Sequence, residues 1–501
     1  MSDVLQYDAL IVGAGPAGLA AAIRIKQCAP QLSVCVLEKG AEVGSHLISG
    51  AAFDPCALDE LLPDWRARAP AFTPVSREKI CWLTSKRSFR LPGWLTPPMT
   101  RQTGCFMGSL GGLCRWLATE AEALGVDVLP GFAVVDVLMN GERVAGVLTG
   151  DLGVGMDGQS RSDFLPGVDI HARWTLLAEG ARGSLTRILE EKFALRPVPQ
   201  TYALGVKERW RLRAGAAPAG TLIHTLGWPL PDRVGGGGFV YVMDDGTASV
   251  GLTVHLDHDP ADVFARFQVF KTHPQIAALL EGGECLGFGA HVINEGGWQS
   301  LPRMVFPGGA LIGCAAGLVD LPRIKGIHTA MRSGMLAAEC IANELAGKGS
   351  LADFDGLLRE SSIGVTLRRG RNAKPLWSRF GTVFGLMLAG PLLWLENLGV
   401  PWPWTCRNRI RQPQACDGPP LPRSESLLLA NLAHEEDQPN HLRVDAGAQF
   451  DIRICPAGVY EAGCVPQHPG NCLHCKACDA VCESIRWSPP AGGSGPNYVN
   501  L

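Results

Sequence analysis

The 501-residue chain lacks an excess of charge of either sign, with 45 lysines and arginines against 48 aspartates and glutamates and a formal net charge of -3. Nucleic-acid binding rests on a basic face that displaces counterions, so this composition sets nucleic acid aside as a partner. A charged and apolar leader is not expected either. The first strand-like stretch begins almost at once, at Tyr7 to Gly13, which leaves no room for a signal sequence. The reducing cytoplasm is therefore the expected compartment for its 17 cysteines. The uncharged run Phe380 to Leu395 is interrupted by Pro391 and falls short of the roughly 20 residues a spanning helix needs. Two tryptophans follow in Pro401-Trp-Pro-Trp404, and tryptophan settles at membrane interfaces. A monotopic, dipping element fits this stretch, the alternative being a buried helix that ends at a proline turn. No internal repeat stands out.

What is present is apolar enough, at 46% hydrophobic residues, to fill several cores, and the length predicts two to four units. Near the C-terminus stand Cys472-Leu-His-Cys475-Lys-Ala-Cys478 and, earlier, Cys455-Pro456. A triplet with two-residue gaps can wrap three corners of a cubane iron–sulfur cluster, and a remote cysteine followed by proline supplies the fourth. Cys455, Cys472, Cys475 and Cys478 are thus the candidate metal ligands. A zinc site would more often show two separated pairs, and structural disulfides suit a secreted chain. Cys482 follows Cys478 by ferredoxin spacing but precedes Glu483 rather than proline, which leaves Cys464 and Cys482 spare.

At the other end, an apolar strand Tyr7 to Val12 runs into Gly13-Ala-Gly15-Pro-Ala-Gly18 and an alanine-rich helix. Gly13 permits the tight turn, Gly15 lets backbone amides approach a pyrophosphate, and Gly18 lets the helix pack on the strand. A second strand, Val34 to Leu37, ends in Glu38, twenty residues beyond Gly18, where a carboxylate binds a ribose hydroxyl. Leu176-Leu-Ala-Glu-Gly180 and Gly309-Ala-Leu-Ile-Gly313 resemble strand-to-turn segments that return to the nucleotide in large FAD-dependent oxidoreductases of the glutathione-reductase superfamily. They favour FAD and a discontinuous nucleotide domain. A helix is expected just after Gly326, its positive end available to a flavin ring. Phe239 to Met243 and Ala248 to Val254 alternate as strands, with Gly235 to Gly238 expected as a glycine turn. Arg411 to Arg423 is proline-rich and expected to be a linker.

These features, together with Leu47-Ile-Ser-Gly50-Ala51, Gly227-Trp-Pro-Leu230, His273-Pro274, Asn294-Glu-Gly-Gly297, Phe306-Pro-Gly-Gly309, Ile324-Lys-Gly326, His328-Thr329-Ala-Met331, Cys455-Pro-Ala-Gly-Val-Tyr-Glu461 and Gly495-Pro-Asn-Tyr498, resemble electron transfer flavoprotein:ubiquinone oxidoreductases along nearly the whole chain. The resemblance implies an α/β (α+β multi-domain) fold. A glutathione-reductase-type, Rossmann-like FAD-binding domain would occupy residues 1–72, 100–182 and 296–355. An interleaved β-sheet ubiquinone-binding and membrane-contact domain would occupy 73–99, 183–295 and 356–410. A linker at 411–423 would precede a ferredoxin-like 4Fe-4S domain at 424–501.

It implies an enzyme that takes electrons from reduced electron transfer flavoprotein and passes them through a 4Fe-4S cluster and FAD to ubiquinone, monotopic or peripheral on the cytoplasmic side of the cell membrane. FAD contacts would come from Gly13, Gly15, Gly18, Glu38, Gly50, Ala51, Gly313, Asp320, Gly326 and Thr329, and quinone contacts from Gly236 and Gly237. Catalysis would need no acid–base dyad. Asp320 stands where the family pattern has asparagine, and an ionised carboxylate there would disfavour anionic reduced flavin. The segments between Cys455 and Cys472 and after Cys478 are shorter than expected for the mitochondrial type. A fused nitrogen-fixation-type system with electron bifurcation, or a redox scaffold with a structural cluster, are the alternatives.

Overall fold

The computed structural model describes residues 5–48, 52–257, 262–408, 422–461, 464–498 and 500–501. The strand Leu5–Val12 is the centre of the first sheet. It pairs in parallel with Asp169–Leu177 on one side and Val34–Glu38 on the other. Asp169–Leu177 pairs in parallel with Gly309–Leu311, and Val34–Glu38 with Asp127–Pro130. Segments from three distant parts of the chain therefore build one sheet. The register sets Val12 opposite both Leu37 and Leu177, and Leu177 opposite Leu311. The turns that follow these strands consequently leave the sheet at one edge, the carboxyl end, where open α/β sheets bind ligands.

Two helices cover this sheet, Pro16–Cys28 and Ile327–Leu345. Their close approach depends on small residues. A Cβ at Gly334 would lie 2.2 Å from the Ala17 carbonyl oxygen, and one at Gly18 would lie 2.1 Å from that of Gly13. Gly13 itself has φ 108° and passes so near Ala178 that a Cβ would meet its carbonyl oxygen at 2.5 Å.

The second sheet has the order Glu284–Asn294, Tyr202–Arg211, Thr247–His255, Gly236–Val242, Thr221–Gly227, Arg77–Leu83 and Ser88–Arg90. All its pairings are antiparallel except Thr221–Gly227 with Arg77–Leu83. Its back is closed by the helices Val263–Lys271 and Pro274–Leu280, with Phe267, Phe270 and Phe288 fully buried between. The glycine turn expected at 235–238 is instead largely strand: Gly236 pairs with Val254 and Gly237 with Thr253. Glycine is required there by packing, because a Cβ on Gly237 would lie 2.3 Å from the Thr225 carbonyl oxygen and one on Gly238 would lie 2.4 Å from the Phe270 ring.

The apolar run of 380–395 lies in the helical segment Ala373–Asn397. The break is at Gly381 (φ 82°, ψ −177°), and the helix continues through Pro391. A proline removes one backbone donor, whereas Gly381, at a positive φ that glycine tolerates, stops one helix and starts another. Asp232 caps the restart, its carbonyl accepting from the Thr382 amide and its carboxylate from the Val383 amide, each at 2.8 Å.

The C-terminal region has little regular structure: the pairs Leu432–Ala433 with Gly495–Pro496 and Leu442–Val444 with Ile485–Trp487, and the short helix Ala477–Val481. Its apolar residues join the core of the second sheet, and the Val292 amide donates to the Cys475 carbonyl at 3.0 Å. Most of the expected linker lies outside the described residues.

Gly334→Val is expected to force the two sheet-covering helices apart and to cost ~1–3 kcal/mol, the usual range for overpacking. Thermal denaturation reads this directly, and an unchanged melting temperature would contradict the close helix contact.

Candidate functional site

A long cleft runs along the carboxyl edge of the first sheet and under the inner face of the second. Gly13, Gly15, Glu38 and Gly326 line it. Glu38 accepts from the Ala14 amide at 3.0 Å and the Gly40 amide at 2.9 Å, which fixes its carboxylate at the strand end. A Cβ on Gly15 would meet nothing within 4 Å, so its backbone is open to a ligand. The helices Pro16–Cys28 and Ile327–Leu345 begin at Gly15 and Gly326, and no side chain caps either. First-turn amides lack intrahelical acceptors, and two uncapped N-termini on one cleft suit an anionic, extended ligand. A dinucleotide such as FAD, with its pyrophosphate and a ring that gains negative charge on reduction, fits this donor set.

The other expected flavin contacts lie one layer back. Gly18 packs under Gly13. The Gly313 amide donates to Ser333 Oγ at 2.8 Å, and Thr329 Oγ1 donates to the carbonyls of Leu318 and Gly326. Each shapes the turns that reach the cleft, which Cys314 lines in place of Gly313. Gly50 and Ala51 lie outside the described residues. Asp320 is buried behind cleft-lining Val319 and Lys325, its backbone bridged to that of Lys325. Gly236 and Gly237 are not on the cleft wall, although Phe239 of the same strand and Thr253 of its neighbour are.

The sequence offered no signal for the buried lysines. Lys39, Lys207, Lys325 and Lys476 all line the cleft. Burial pushes Lys39 and Lys207 down to about 7 and Lys325 down to about 8. Lys39 follows a strand and Lys325 and Lys476 lie in loops, where a lysine reads as a surface residue, while Lys207 lies within the strand Tyr202–Arg211; only the fold turns these four toward a shared space.

The second centre is a pocket of thiols. Cys455, Cys472, Cys475 and Cys478 are 5–7% exposed. Burial raises every one of the four, pushing Cys472 up to about 12, and the neighbouring thiols add to the rise of Cys472, Cys475 and Cys478. Amides aim at the sulfurs: Val459 N–H at Cys455 Sγ (3.5 Å) and His474 N–H at Cys472 Sγ (3.4 Å). Four thiolates in an apolar pocket repel one another and are stabilised only by a cation among them, so the donor set fits a 4Fe-4S cluster. Cys464 and Cys482 are half-buried, and Cys464 Sγ points to the Phe450 carbonyl at 3.6 Å. Tyr460, which sequence reasoning missed, buries its hydroxyl beside Cys478.

The two centres share a wall. His474 and Lys476, from the same loop as Cys472, Cys475 and Cys478, line the cleft. The His474 ring sits 5.1 Å from that of His46 and 5.2 Å from that of Trp487, and His46 and Trp487 line the cleft too.

Burial pushes the Asp320 carboxyl up from 3.8 to about 6, against the pull of Arg323 and Lys325. Between those pH values the native state keeps a proton that the unfolded chain has released, so stability falls as pH rises through the window. Asp320→Asn is expected to stabilise the protein at pH 8, on the order of 2–3 kcal/mol, with a gain that shrinks towards pH 5. Melting curves at both pH values check it, and a pH-independent difference would contradict it.

Comparisons with known proteins agree with these two centres. The family model described as FAD binding domain matches residues 8–54, that described as ETF-QO, ubiquinone-binding matches 202–293, and that described as Electron transfer flavoprotein-ubiquinone oxidoreductase, 4Fe-4S matches 421–499. The mitochondrial electron transfer flavoprotein-ubiquinone oxidoreductase of Oryza sativa is 42% identical over 548 residues, covering 99% of this chain and 93% of its own. That of Pseudomonas aeruginosa is 39% identical, covering 100% of both chains. The Homo sapiens mitochondrial protein is 38% identical, covering 99% of this chain and 89% of its own. Among solved structures, a geranylgeranyl bacteriochlorophyll reductase-like protein from Thermoplasma acidophilum superposes with a TM-score of 0.57 at 19% identity, covering 79% of this chain and 98% of its own, a likeness of fold alone. With relatives this similar over its full length, a flavin-binding fold and a four-thiol domain, the chain belongs to the electron transfer flavoprotein-ubiquinone oxidoreductase family.

Proposed function

We propose that the chain accepts electrons from reduced electron transfer flavoprotein and passes them, through a 4Fe-4S cluster and FAD, to ubiquinone at a membrane surface. The observation that carries this reading is the shared wall: one loop supplies three thiols to the buried pocket and two side chains to the cleft. A 4Fe-4S cluster exchanges single electrons, while a flavin holds one or two and so matches a two-electron quinone. Cys455, Cys472, Cys475 and Cys478 would hold the cluster. Gly13, Gly15, Glu38 and Gly326 would hold the FAD, with Gly18, Gly313, Asp320 and Thr329 behind them.

The quinone reading of Gly236 and Gly237 is supported by their place between the cleft and the apolar helix. Gly237 pairs with Thr253, which lines the cleft. Two residues on, His255 faces Gly235 and packs its ring 4.8 Å from Trp377 of the helical segment Ala373–Asn397. That segment exposes Phe380, Val383, Phe384, Met387 and Leu388, and Trp94, Leu398 and Trp404 are also exposed, at 66–73%. The segment is held to the protein by buried ion pairs, Lys374–Glu295 at 2.8 Å before the break at Gly381 and Glu396–Arg371 at 3.0 Å after it. An apolar face anchored in this way supports monotopic attachment to a membrane, with the cytoplasmic side as the side proposed, and it would bring a lipid-soluble quinone to the glycine strand.

Anaerobic mixing with reduced electron transfer flavoprotein and a ubiquinone analogue, followed by electron paramagnetic resonance of the cluster, tests the route. Cys475→Ala is expected to lose the cluster signal and quinone reduction together, and unchanged turnover would reject the electron-transfer reading. Membrane attachment is expected to resist salt and yield to detergent. The double substitution Phe384→Asp and Met387→Asp should move most of the protein to the soluble fraction, and its retention in the pellet would place the contact elsewhere.

A further inference from the structure

The loop that carries the thiols is tied to the cleft by a buried charged knot that no cofactor requires. Asp479 follows Cys478 directly, and its side chain is 2% exposed. Its Oδ1 accepts from Arg182 Nε at 2.9 Å and from Arg187 Nη1 at 2.6 Å, while Oδ2 accepts from the Trp487 amide at 3.1 Å. The contact is reciprocal: Arg182 Nη2 donates to the Asp479 carbonyl, and Lys476 Nζ donates to the Arg182 carbonyl, both at 2.9 Å.

Both partners hold backbones that non-glycine residues rarely adopt, Arg182 and Lys476 each with φ 61°. Such conformations persist only where surrounding contacts over-determine them. Arg182 comes immediately after Glu179, Gly180 and Ala181, which line the cleft. Glu179 in turn accepts from the Leu185 and Thr186 amides at the start of the helix Ser184–Lys192, which carries Arg187. The knot therefore joins the loop that walls the flavin cleft to the loop that holds the cluster, through bonds whose geometry neither loop can keep alone.

We propose that Asp479, clamped by Arg182 and Arg187, is a positioning residue that couples the binding of the two cofactors. With the cluster in place, the loop 472–478 is fixed, Asp479 holds Arg182 in its left-handed conformation, and the Glu179–Ala181 wall is set for FAD. Without the cluster, the loop loses its organising centre, the clamp loses its anchor, and the cleft holds FAD less tightly. Linkage makes the effect mutual: bound FAD stabilises the cluster loop by the same factor.

The coupling rests on the assignment of Cys475 as a cluster ligand and of the cleft as the FAD site. Its test is a double-mutant cycle on the full chain, with the FAD dissociation constant read from the fluorescence of released FAD and the cluster from its electron paramagnetic resonance. Cys475→Ala is expected to weaken FAD binding at least ten-fold, and Asp479→Asn by a similar factor. Joined in one chain, the two should weaken it little more than either alone, because both cut the same link. Arg187→Gln removes a single bond from the half-buried end of the knot and should give a smaller loss while the protein still folds. If Cys475→Ala keeps its cluster signal, the ligand assignment fails. If the signal is lost while FAD affinity is unchanged, or if the two losses simply add, the coupling is overturned.

Discussion

Four thiols placed in one apolar pocket create the constraint on which the C-terminal domain depends. Burial and mutual repulsion oppose their ionised form, and the segment around them has almost no regular hydrogen-bonded structure to hold them in place. Small domains of this kind gain their stability from the metal they bind. The polypeptide adds what a cluster cannot: amides pointed at sulfur, and an apolar core shared with the second sheet. The cluster region is thus an extension of the quinone-side sheet rather than a free appendage.

The flavin cleft follows from a different rule. Parallel strands in register end together, and whatever follows them must share one edge. Val12, Leu37, Leu177 and Leu311 are aligned in this way, so residues hundreds of positions apart reach the same space. Uncapped helix ends and inward-facing lysine side chains supply that space with hydrogen-bond donors. The charges and dipoles of the protein are in place before any ligand arrives, which is the condition for electrostatic preorganisation.

The apolar helix shows how a buried face and an exposed apolar face coexist in one element. Buried ion pairs are costly unless they are fully matched; Lys374–Glu295 before the break at Gly381 and Glu396–Arg371 after it fix both parts of the segment to the protein, while Phe384, Met387 and Leu388 stay exposed. The break at Gly381 rather than at Pro391 is a case where the sequence cue was real but assigned to the wrong residue. A proline is visible in any sequence, whereas a positive-φ glycine capped by Asp232 exists only once the loop containing Asp232 is packed against it.

Local chemistry was legible from the residues alone. The Gly13–Gly18 turn, the carboxylate at Glu38, the cysteine triplet and the apolar stretch each depend on spacing within a few residues, and spacing is what a sequence records. The resemblance carried by longer motifs added the order of the domains and the reaction class. Tertiary structure decided everything that depends on residues meeting from afar. It turned the glycines of 236–238 from an expected turn into a strand, because neighbours on the sheet leave no room for a Cβ. It drew Lys39, Lys207, Lys325 and Lys476 into one cleft, and it closed Asp479 onto Arg182 across 297 positions of chain. Periodicity and motif determine which elements form; only the packing of those elements determines which charges are buried together, and that is where the two centres of this protein are joined.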